Sequence, residues 1–308
     1  MSSALVTGAS GFLGSALARC LAEKGVSVYA LVRPSSRLER LDTSRVTVVA
    51  ADTGRADGLQ QALDGIRADY VFHLASYGVS QAERDPQLMC DGNAGLVCRL
   101  LEAIAGWKVR KFIQTGSCSE YAPAEEGTRI GEEHPIRPMS LYGAAKAAAV
   151  GSGRALAKQM GLPFLTLRPF MIFGPGEAPE RLVPYLIAKL SRDQAVDLTA
   201  GEQKRDLVYV EDAAEAFYRA AQSAASEGAL NVCSGRAVRV RAIAEAVADA
   251  MGKPRSLLRF GARPYREDEP MWLVGDPSRM EEATGWRARA GLAEGIERMV
   301  ARARQVPA

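Results

Sequence analysis

The chain has 308 residues, of which 47% are hydrophobic and 24% charged, and its formal net charge is +3. This length allows one large or two ordinary domains, and the scattered arginines argue against nucleic acid as a partner. No apolar run approaches the roughly 20 residues of a membrane span, and the five cysteines and two histidines lack metal-ligand spacing, so we expect no membrane partner and no metal. The N-terminus runs straight into a strand, which predicts a cytoplasmic protein without a signal peptide.

The first two thirds of the sequence alternate between apolar runs and helical spacing. The predicted strands are residues 4–6, 26–32, 46–50, 70–74, 111–115 and 164–168. The predicted helices are a segment from residue 16 to Gly25 and residues 59–63, 88–105 and 142–160. Strands that alternate with helices and are apolar on both faces indicate a parallel sheet covered on both sides.

After Pro169 the sequence becomes richer in proline and loops. The predicted elements are helices 182–190, 212–221 and 243–251 and a strand at 230–233. Asp212 is the expected N-cap of the helix that begins there. This part is predicted to form a smaller domain that closes over the first.

The turn after the first strand is rich in glycine: residues 7–14 read TGASGFLG. Gly8 allows a tight turn, Gly11 lets backbone N–H groups approach a pyrophosphate, and Gly14 lets the following helix pack closely on the sheet. The phosphates would then lie at a helix N-terminus, where free N–H groups favour anions. The turn therefore predicts a dinucleotide cofactor.

Together these patterns predict an α/β fold, with a Rossmann-type doubly wound parallel sheet and a smaller C-terminal α/β substrate-binding domain. Residues 1–168 would form the dinucleotide-binding domain, to which segments near 205–235 return. Residues 169–308 would mostly form the substrate-binding domain.

A tyrosine and a lysine with helical i, i+4 spacing indicate catalysis. Tyr142 and Lys146 would share one helix face, and the ammonium would lower the pKa of the phenol so that it exchanges a proton with an alcohol oxygen. The segment after the fifth strand, residues 115–121, reads TGSCSEY, and its small hydroxyl residues could hydrogen-bond a reacting oxygen.

These residues resemble the extended short-chain dehydrogenase/reductase family, in the branch that acts on nucleotide sugars. The resemblance extends nearly from end to end and rests on the glycine turn, Asp52, His73-Leu74-Ala75, Asn93, Ser117 with Tyr121, Tyr142 with Lys146, Arg168-Pro169, Phe173-Gly174-Pro175, Arg205-Asp206, Val210 with Asp212, and Gly285-Trp286.

The resemblance implies roles for individual residues. Ser117 would hydrogen-bond the substrate oxygen, Tyr142 would be the acid/base, and Lys146 would tune Tyr142 and hold the ribose. Asp52 would meet the adenine or, alternatively, cap a turn. Arg205 would meet the substrate diphosphate or, alternatively, form a surface ion pair with Asp206. The other predicted cofactor residues are Gly8, Ser10, Gly11, Phe12, Leu13, Gly14, Thr53, Leu74, Ala75 and Pro169, and Ser76 is predicted to bind substrate.

The end of the second strand indicates which cofactor is used. NAD-binding units place an acid there for the ribose 2′-OH, whereas residues 26–38 contain no acid and the strand ends at Arg33. A guanidinium pairs well with phosphate. We therefore predict NADP(H) as the preferred cofactor and NAD(H) as the second, with Arg33 on the 2′-phosphate and Ser35, Ser36 or Arg37 assisting.

Residues 116–121, residues 264–271 and Met171 bear on which reaction the protein catalyses. Related 4,6-dehydratases carry Thr-Asp-Glu where this chain has Ser117, Cys118 and Ser119, which argues against water elimination. Residues 116–121 and 264–271 resemble reductases of nucleotide-linked 4-keto-6-deoxyhexoses, in which a late loop supplies a diphosphate-binding arginine. Arg266 is the first candidate for that arginine and Arg263 the second. Many family members have Asn where this chain has Met171.

The sequence thus predicts reduction of the C4 keto group of a nucleotide-activated 4-keto-6-deoxy sugar. A preference for NADPH favours net reduction over epimerisation, in which a bound NAD returns the hydride to the same substrate. The alternatives are a nucleotide-sugar epimerase, a reductase of a non-sugar carbonyl, and a non-catalytic NADP-sensing protein. A homodimer is expected, with the helices from Leu88 and Tyr142 at its contact; the alternative is that the core of a single chain buries the same residues.

Overall fold

The computed structural model describes residues 1–80, 82–267 and 269–305. Up to residue 169 the elements are β1 (Ser3–Thr7), α1 (Phe12–Glu23), β2 (Ser27–Val32), β3 (Thr47–Ala50), α2 (Ala56–Ala62), β4 (Tyr70–His73), α3 (Pro86–Cys90), α4 (Leu96–Ala103), β5 (Lys111–Thr115), α5 (Leu141–Gln159) and β6 (Phe164–Pro169). The later elements are β7 (Met171–Phe173), α6 (Leu182–Leu190), β8 (Val196–Leu198), β9 (Lys204–Arg205), β10 (Leu207–Tyr209), α7 (Val210–Gln222), β11 (Glu227–Val232), β12 (Val238–Arg239), α8 (Val240–Met251), β13 (Leu258–Phe260), β14 (Trp272–Leu273), α9 (Ser278–Thr284) and α10 (Leu292–Gln305). None of the helices in these ranges is both long and apolar enough to cross a bilayer.

Seven parallel strands form the main sheet in the order β11-β6-β5-β4-β1-β2-β3. The strand order reverses between β1 and β4, so a crevice opens beyond their carboxyl ends, where ligands bind in open α/β sheets. This arrangement confirms the predicted Rossmann-type doubly wound fold.

Both faces of the sheet are covered, as a buried parallel sheet requires. Val6, Leu17 and Phe217 belong to the core under α1 and α7, whereas Leu5 and Leu100 belong to the core under α4 and α5. The neighbours Val6 and Leu5 thus point to opposite faces, because side chains alternate along a strand.

The C-terminal part has a core of its own. Phe173, Leu186, Ile243 and Met299 meet between α6, α8 and α10, and short strand pairs flank them. Two elements from this part of the sequence return to the main sheet: α7 packs on α1, and β11 pairs with β6.

The helix expected over residues 88–105 is interrupted. Between α3 and α4 lies a π-helical turn, Asp91–Gly95. Inside this turn the buried Asn93 side chain donates to the carbonyls of Met89 and Tyr77, at 2.8 and 2.9 Å. In an α-helix the Met89 carbonyl would accept from the backbone N–H of Asn93. Here it accepts from the Asn93 side chain, and the helix widens at this turn.

Asp212 is not an N-cap, which corrects the prediction from sequence. The helix α7 begins two residues earlier, at Val210, and Asp212 lies in its first turn. The Asp212 carboxylate accepts from the N–H groups of Arg289 and Ala290, both at 2.8 Å, and so ties α7 to the segment before α10.

Candidate active site

The glycine-rich turn between β1 and α1 requires glycine at two of its three glycine positions, Gly8 and Gly14. Gly8 has a φ of +66°, and a Cβ there would lie 2.8 Å from the backbone nitrogen of Ala75. A Cβ at Gly14 would lie 2.0 Å from the Gly8 carbonyl oxygen, so only glycine lets α1 come this close to the turn. Gly11 is the N-cap of α1; over the described residues it has no side-chain cap, and the first turn has no acid. The N–H groups at this helix start therefore fit the pyrophosphate of a dinucleotide.

The other residues predicted to bind the cofactor lie at the same edge of the sheet. They are Ser10, Phe12 and Leu13 in the turn and the start of α1, Asp52 and Thr53 after β3, Leu74 and Ala75 after β4, and Pro169 at the end of β6. Thr7 joins β1 to β4 here: its Oγ1 accepts from the Ala75 N–H at 3.1 Å and lies 2.7 Å from His73 Nδ1. Asp52 caps a turn, since its Oδ1 accepts from the Gly54 N–H at 3.0 Å.

The loop after β2 presents arginines at this edge. The Ser36 Oγ accepts from the Arg33 N–H at 3.1 Å, and the Ser36 N–H donates to the Arg33 carbonyl at 2.9 Å, so a tight turn holds Arg33 with its side chain exposed. The sequence did not single out Arg40, which is exposed in the same loop. Arg40 and Phe12, the first residue of α1, both lie close to Gly176. A Cβ at Gly176 would lie 3.5 Å from Arg40 Nε and 3.9 Å from the Phe12 ring. No sequence signal separates Arg40 from the other arginines of this loop.

The start of α5 lies against the turn that follows β5. Ser140 caps α5, with its Oγ accepting from the Gly143 N–H at 3.1 Å. A Cβ at Gly143 would lie 2.2 Å from the Ser119 carbonyl oxygen, so glycine is needed for this contact. The contact places the start of α5, which carries the half-buried Tyr142, against the turn that carries Ser117.

Lys146 lies one helical turn after Tyr142 and is almost fully buried. Burial lowers the pKa of Lys146 to about 8, and the carboxylate of Glu120 partly offsets this effect. Burial, together with the Lys146 charge, lowers the pKa of His73 to about 3, so this histidine is neutral.

The pKa of Tyr142 lies well above its usual range, which corrects the expectation that Lys146 lowers it. Burial raises this pKa most; Cys118 and Glu120 raise it further, while the Ser117 hydroxyl and Arg181 oppose the rise. The physical reason is that the loss of hydration of the buried phenol is the largest effect and outweighs the groups that lower its pKa.

Beneath Ser117 lies Glu120, to which sequence analysis assigned no function. Its Oε1 accepts from the Ser117 N–H at 2.7 Å, and its Oε2 accepts from Arg168 Nε at 2.8 Å. Arg168 also donates to the Tyr121 hydroxyl at 3.1 Å, and that hydroxyl donates to Asn231 at 2.7 Å. The network joins β6 and β11 to the turn after β5.

Arg205 is buried and does not pair with Asp206, so the alternative of a surface ion pair is wrong. Its Nη1 donates to the carbonyls of Lys204 and Pro270, at 2.9 and 2.7 Å, and its Nη2 pairs with Glu269. Asp206 has other partners, which are the N–H groups of Ser234, Gly235 and Gly275 and the Ser234 hydroxyl.

Glu269 also binds the second arginine predicted to hold the diphosphate. Its Oε2 accepts from Arg266 at 3.1 and 2.9 Å, so one carboxylate bridges Arg205 and Arg266. Arg263, the other candidate, is exposed at the start of the same loop, where its N–H donates to the Leu198 carbonyl at 3.0 Å.

The loop that starts at Ser76 lies next to Tyr142. In this loop, a Cβ at Gly78 would lie 3.2 Å from the Tyr142 ring, and the Ser80 hydroxyl donates to Glu180 at 3.0 Å.

Met171 lies in β7, where its N–H donates to the Asp206 carbonyl at 3.0 Å.

A glycine-rich turn at the switch point of the sheet, with serine, tyrosine and lysine beyond its carboxyl edge, defines an enzyme of the extended short-chain dehydrogenase/reductase class. The chain belongs to the NAD-dependent epimerase/dehydratase family, whose sequence profile matches residues 4–233. The resemblance inferred from sequence is thereby confirmed.

Known proteins similar to this chain act on nucleotide sugars. It is 30% identical over 306 residues to a UDP-glucose 4-epimerase of Mycolicibacterium smegmatis, covering 96% of each chain. It is 27% identical over 303 residues to a dTDP-6-deoxy-L-talose 4-dehydrogenase (NAD(P)(+)) of Kitasatospora kifunensis, covering 96% of this chain and 93% of the relative. The fold superimposes on the UDP-glucose 4-epimerase of Thermus thermophilus in complex with NAD, with a TM-score of 0.89, 30% identity, and coverage of 98% and 99%.

Proposed function

We propose that this protein catalyses the NADPH-dependent reduction of the C4 carbonyl of a nucleotide-activated 4-keto-6-deoxy sugar. The observation that carries the proposal is the packing of the start of α5, with Tyr142, on the turn that carries Ser117, while Cys118 and Ser119 stand where water elimination would need an acid and a base. Burial raises the pKa of Cys118 to about 12, so this thiol stays neutral and does not replace a carboxylate.

Tyr142, Ser117 and Lys146 each have a separate role in the proposed reaction. When bound, a reduced nicotinamide supplies hydride to the carbonyl carbon. Tyr142 donates its proton to the carbonyl oxygen, so hydride and proton together give the alcohol; its raised pKa keeps that proton on the phenol near neutral pH. The Ser117 hydroxyl donates a hydrogen bond to the same oxygen. Lys146, which is charged below a pH of about 8, stabilises the phenolate that remains.

The preference for NADP(H) is supported by the exposed Arg33 at the end of β2, where NAD-binding units have an acid. Arg40, near Phe12 at the start of α1, adds a second cation at this edge. The Kitasatospora kifunensis relative has NAD(P)(+) in its name, so a chain similar to this one is described with either cofactor.

A diphosphate in the substrate is supported by the convergence of Arg205 and Arg266. The two guanidinium groups reach the same carboxylate, that of Glu269, and so lie close enough to share an anionic ligand. Phosphate oxygens accept from guanidinium groups in the same geometry as a carboxylate does.

A nucleotide-sugar 4-epimerase is the second candidate, because two of the similar proteins carry that name at 30% identity. The same Ser117, Tyr142 and Lys146 would serve it, since epimerisation also moves a hydride and a proton at a sugar carbon.

A paired assay separates the two candidates. The purified protein is incubated with NADPH or NADH and a panel of UDP-, dTDP-, CDP- and GDP-linked 4-keto-6-deoxyhexoses, and cofactor oxidation is followed by absorbance. In parallel it is incubated with nucleotide hexoses without added cofactor. Reduction requires stoichiometric NADPH oxidation in the first assay. Isomer formation in the second assay without oxidation in the first contradicts the reductase.

We also propose that the protein is a homodimer. Leu88 in α3, Met139 just before α5 and Leu141 at its start are large apolar side chains that are exposed to about half or more of their full extent in the single chain (51%, 61% and 46%). Apolar residues on packed neighbouring helices are typical of a helix-mediated contact between copies. Light scattering in solution gives the mass directly.

A further inference from the structure

Glu120 is a fully buried acid beneath the catalytic turn, and the proposed reaction does not use it directly. Each of its oxygens has one strong partner: Oε1 accepts from the Ser117 N–H at 2.7 Å and Oε2 accepts from Arg168 Nε at 2.8 Å. The Ser117 hydroxyl in turn caps the same turn by accepting from the Ser119 N–H at 3.1 Å. The orientation of Ser117 is therefore fixed from below by this carboxylate.

The position of Glu120 is fixed from the other side as well. The Arg168 guanidinium lies 4.9 Å from the centre of the Tyr121 ring and donates to its hydroxyl. A Cβ at Gly116 would lie 2.5 Å from the Glu120 Oε1, so only a glycine leaves room for the carboxylate at that point. Glu120 consequently has one defined place, next to the catalytic residues.

The Glu120 charge acts on both members of the catalytic pair. The carboxylate raises the pKa of Tyr142 and that of Lys146. The other titratable or charged groups that face the pair are His73 at the end of β4, Cys118 in the turn after β5, and Arg181 before α6. His73 and Cys118 are neutral near pH 7 and Arg181 is positive, so among the described residues Glu120 is the anion that acts on both Tyr142 and Lys146.

Stability alone explains this ion pair poorly. The Glu120 side chain is 0% exposed and that of Arg168 is 8% exposed, so both charges lose almost all their hydration on folding. The attraction between two such charges often fails to exceed the cost of burying them, and replacing a buried ion pair by an apolar pair of similar size is often neutral for stability. A contribution to the neighbouring reaction would explain why Glu120 and Arg168 are charged residues.

We propose that Glu120 is a positioning residue: its hydrogen bond to the Ser117 N–H holds Ser117 in place, and its carboxylate puts a fixed negative charge beneath the turn that packs against Tyr142 at the start of α5. This inference rests on the proposed use of Tyr142 and Lys146. It does not depend on the sugar, because an epimerase would use the same residues.

The test is the titration of Lys146 itself, which needs no substrate. NMR of isotope-labelled lysine follows its ammonium, and the variant K146M assigns the signal. We expect a midpoint near 8 in the wild type. In E120Q, which keeps the size of the side chain but loses its charge, the midpoint should fall by about 0.5–1 pH unit, as expected for one charge lost at short range inside a protein.

A second variant separates the charge from the hydrogen bonds. E120D keeps the charge, but its shorter side chain cannot reach the Ser117 N–H and Arg168 Nε together. Lys146 should then titrate close to the wild type, while kcat falls by about tenfold because Ser117 is displaced from the reacting oxygen. This kcat is read on whichever nucleotide sugar the wild type converts.

Asp206 provides the matched control, because it is another buried acid held by backbone N–H groups. D206N should lower thermal stability and leave the Lys146 midpoint in place. An E120Q midpoint equal to the wild type, or an E120D variant with wild-type kcat, overturns the proposal; if E120Q does not fold, the E120D kcat decides it. Failure of the proposed function would be seen separately, as a wild type that reduces no keto sugar.

Discussion

Two buried arginines of the site, Arg168 and Arg205, each pair with a glutamate, but the two pairs differ in what surrounds them. Glu120, the partner of Arg168, is completely buried and belongs to the short turn after β5. Glu269, the partner of Arg205, is 14% exposed, lies in the loop before β14 and is shared with Arg266. The first pair is closed to any ligand, whereas under the proposed function a substrate phosphate would replace the carboxylate of the second.

This difference divides the site into two ends. At the catalytic end, which we define as Ser117, Tyr142 and Lys146, the residues lie on α5 and on the short buried turn after β5. At the diphosphate end, defined as Arg205, Arg266 and Glu269, a loop carries one arginine and the acid. Substitutions at the first end should therefore change the rate, and substitutions at the second should change affinity.

The largest effect is expected at the catalytic end. Y142F removes the proton donor, so kcat should fall by about 10²–10⁴-fold while NADPH binds as before, as steady-state kinetics and fluorescence titration would measure. Y70F is the control, because Tyr70 is a buried tyrosine at the opposite end of β4 from His73. A Y142F enzyme with substantial kcat would mean that another group supplies the proton. The claim that the catalytic end determines the rate would then be wrong.

The next effect is expected where the cofactor binds. R33D should raise the KM for NADPH by about 10–100-fold and leave the KM for NADH nearly unchanged, because a charge-assisted contact to the 2′-phosphate is lost. R45D changes the same charge further along the loop, where Arg45 lies near Asp42, and serves as the control. Equal changes for the two cofactors would contradict the assignment of Arg33.

The smallest effect is expected at the diphosphate end. E269Q removes the anion that occupies Arg205 and Arg266, so a nucleoside diphosphate should bind up to about tenfold more tightly, as calorimetry would measure. E267Q removes a charge from the same loop at an exposed position and should leave this affinity unchanged. Weaker binding in E269Q would mean that Glu269 orients the arginines for the ligand and does not compete with it.

Sequence predicts the parts of this molecule whose causes are local. The glycine turn and the Tyr142–Lys146 spacing follow from neighbours along the chain, and β5 (Lys111–Thr115) and α6 (Leu182–Leu190) have the predicted bounds. The π-helical turn depends on Asn93 reaching the Tyr77 carbonyl, which lies in another loop, so helical periodicity alone could not reveal it.

The partners of charged residues were not predictable in the same way. Glu120 and Arg168 are 48 residues apart, and Arg205 and Glu269 are 64 apart, so their pairing appears only when the strands are assembled. The raised pKa of Tyr142 was not predictable for the same reason. Burial affects this pKa more than the nearby lysine does, and burial is a property of the whole fold. Adjacent residues such as Arg205 and Asp206 looked like partners, but they point to different groups.

The most direct test of the account follows the hydride. The enzyme is incubated with NADPH deuterated at the transferable position and a nucleotide-linked 4-keto-6-deoxyhexose that it accepts, and the product is analysed by NMR and mass spectrometry. The account predicts one deuterium at C4 of the product and an equal amount of NADP⁺, with neither formed by Y142F. A product without deuterium at C4, or an isomerised sugar formed with no NADP⁺ released, would contradict it.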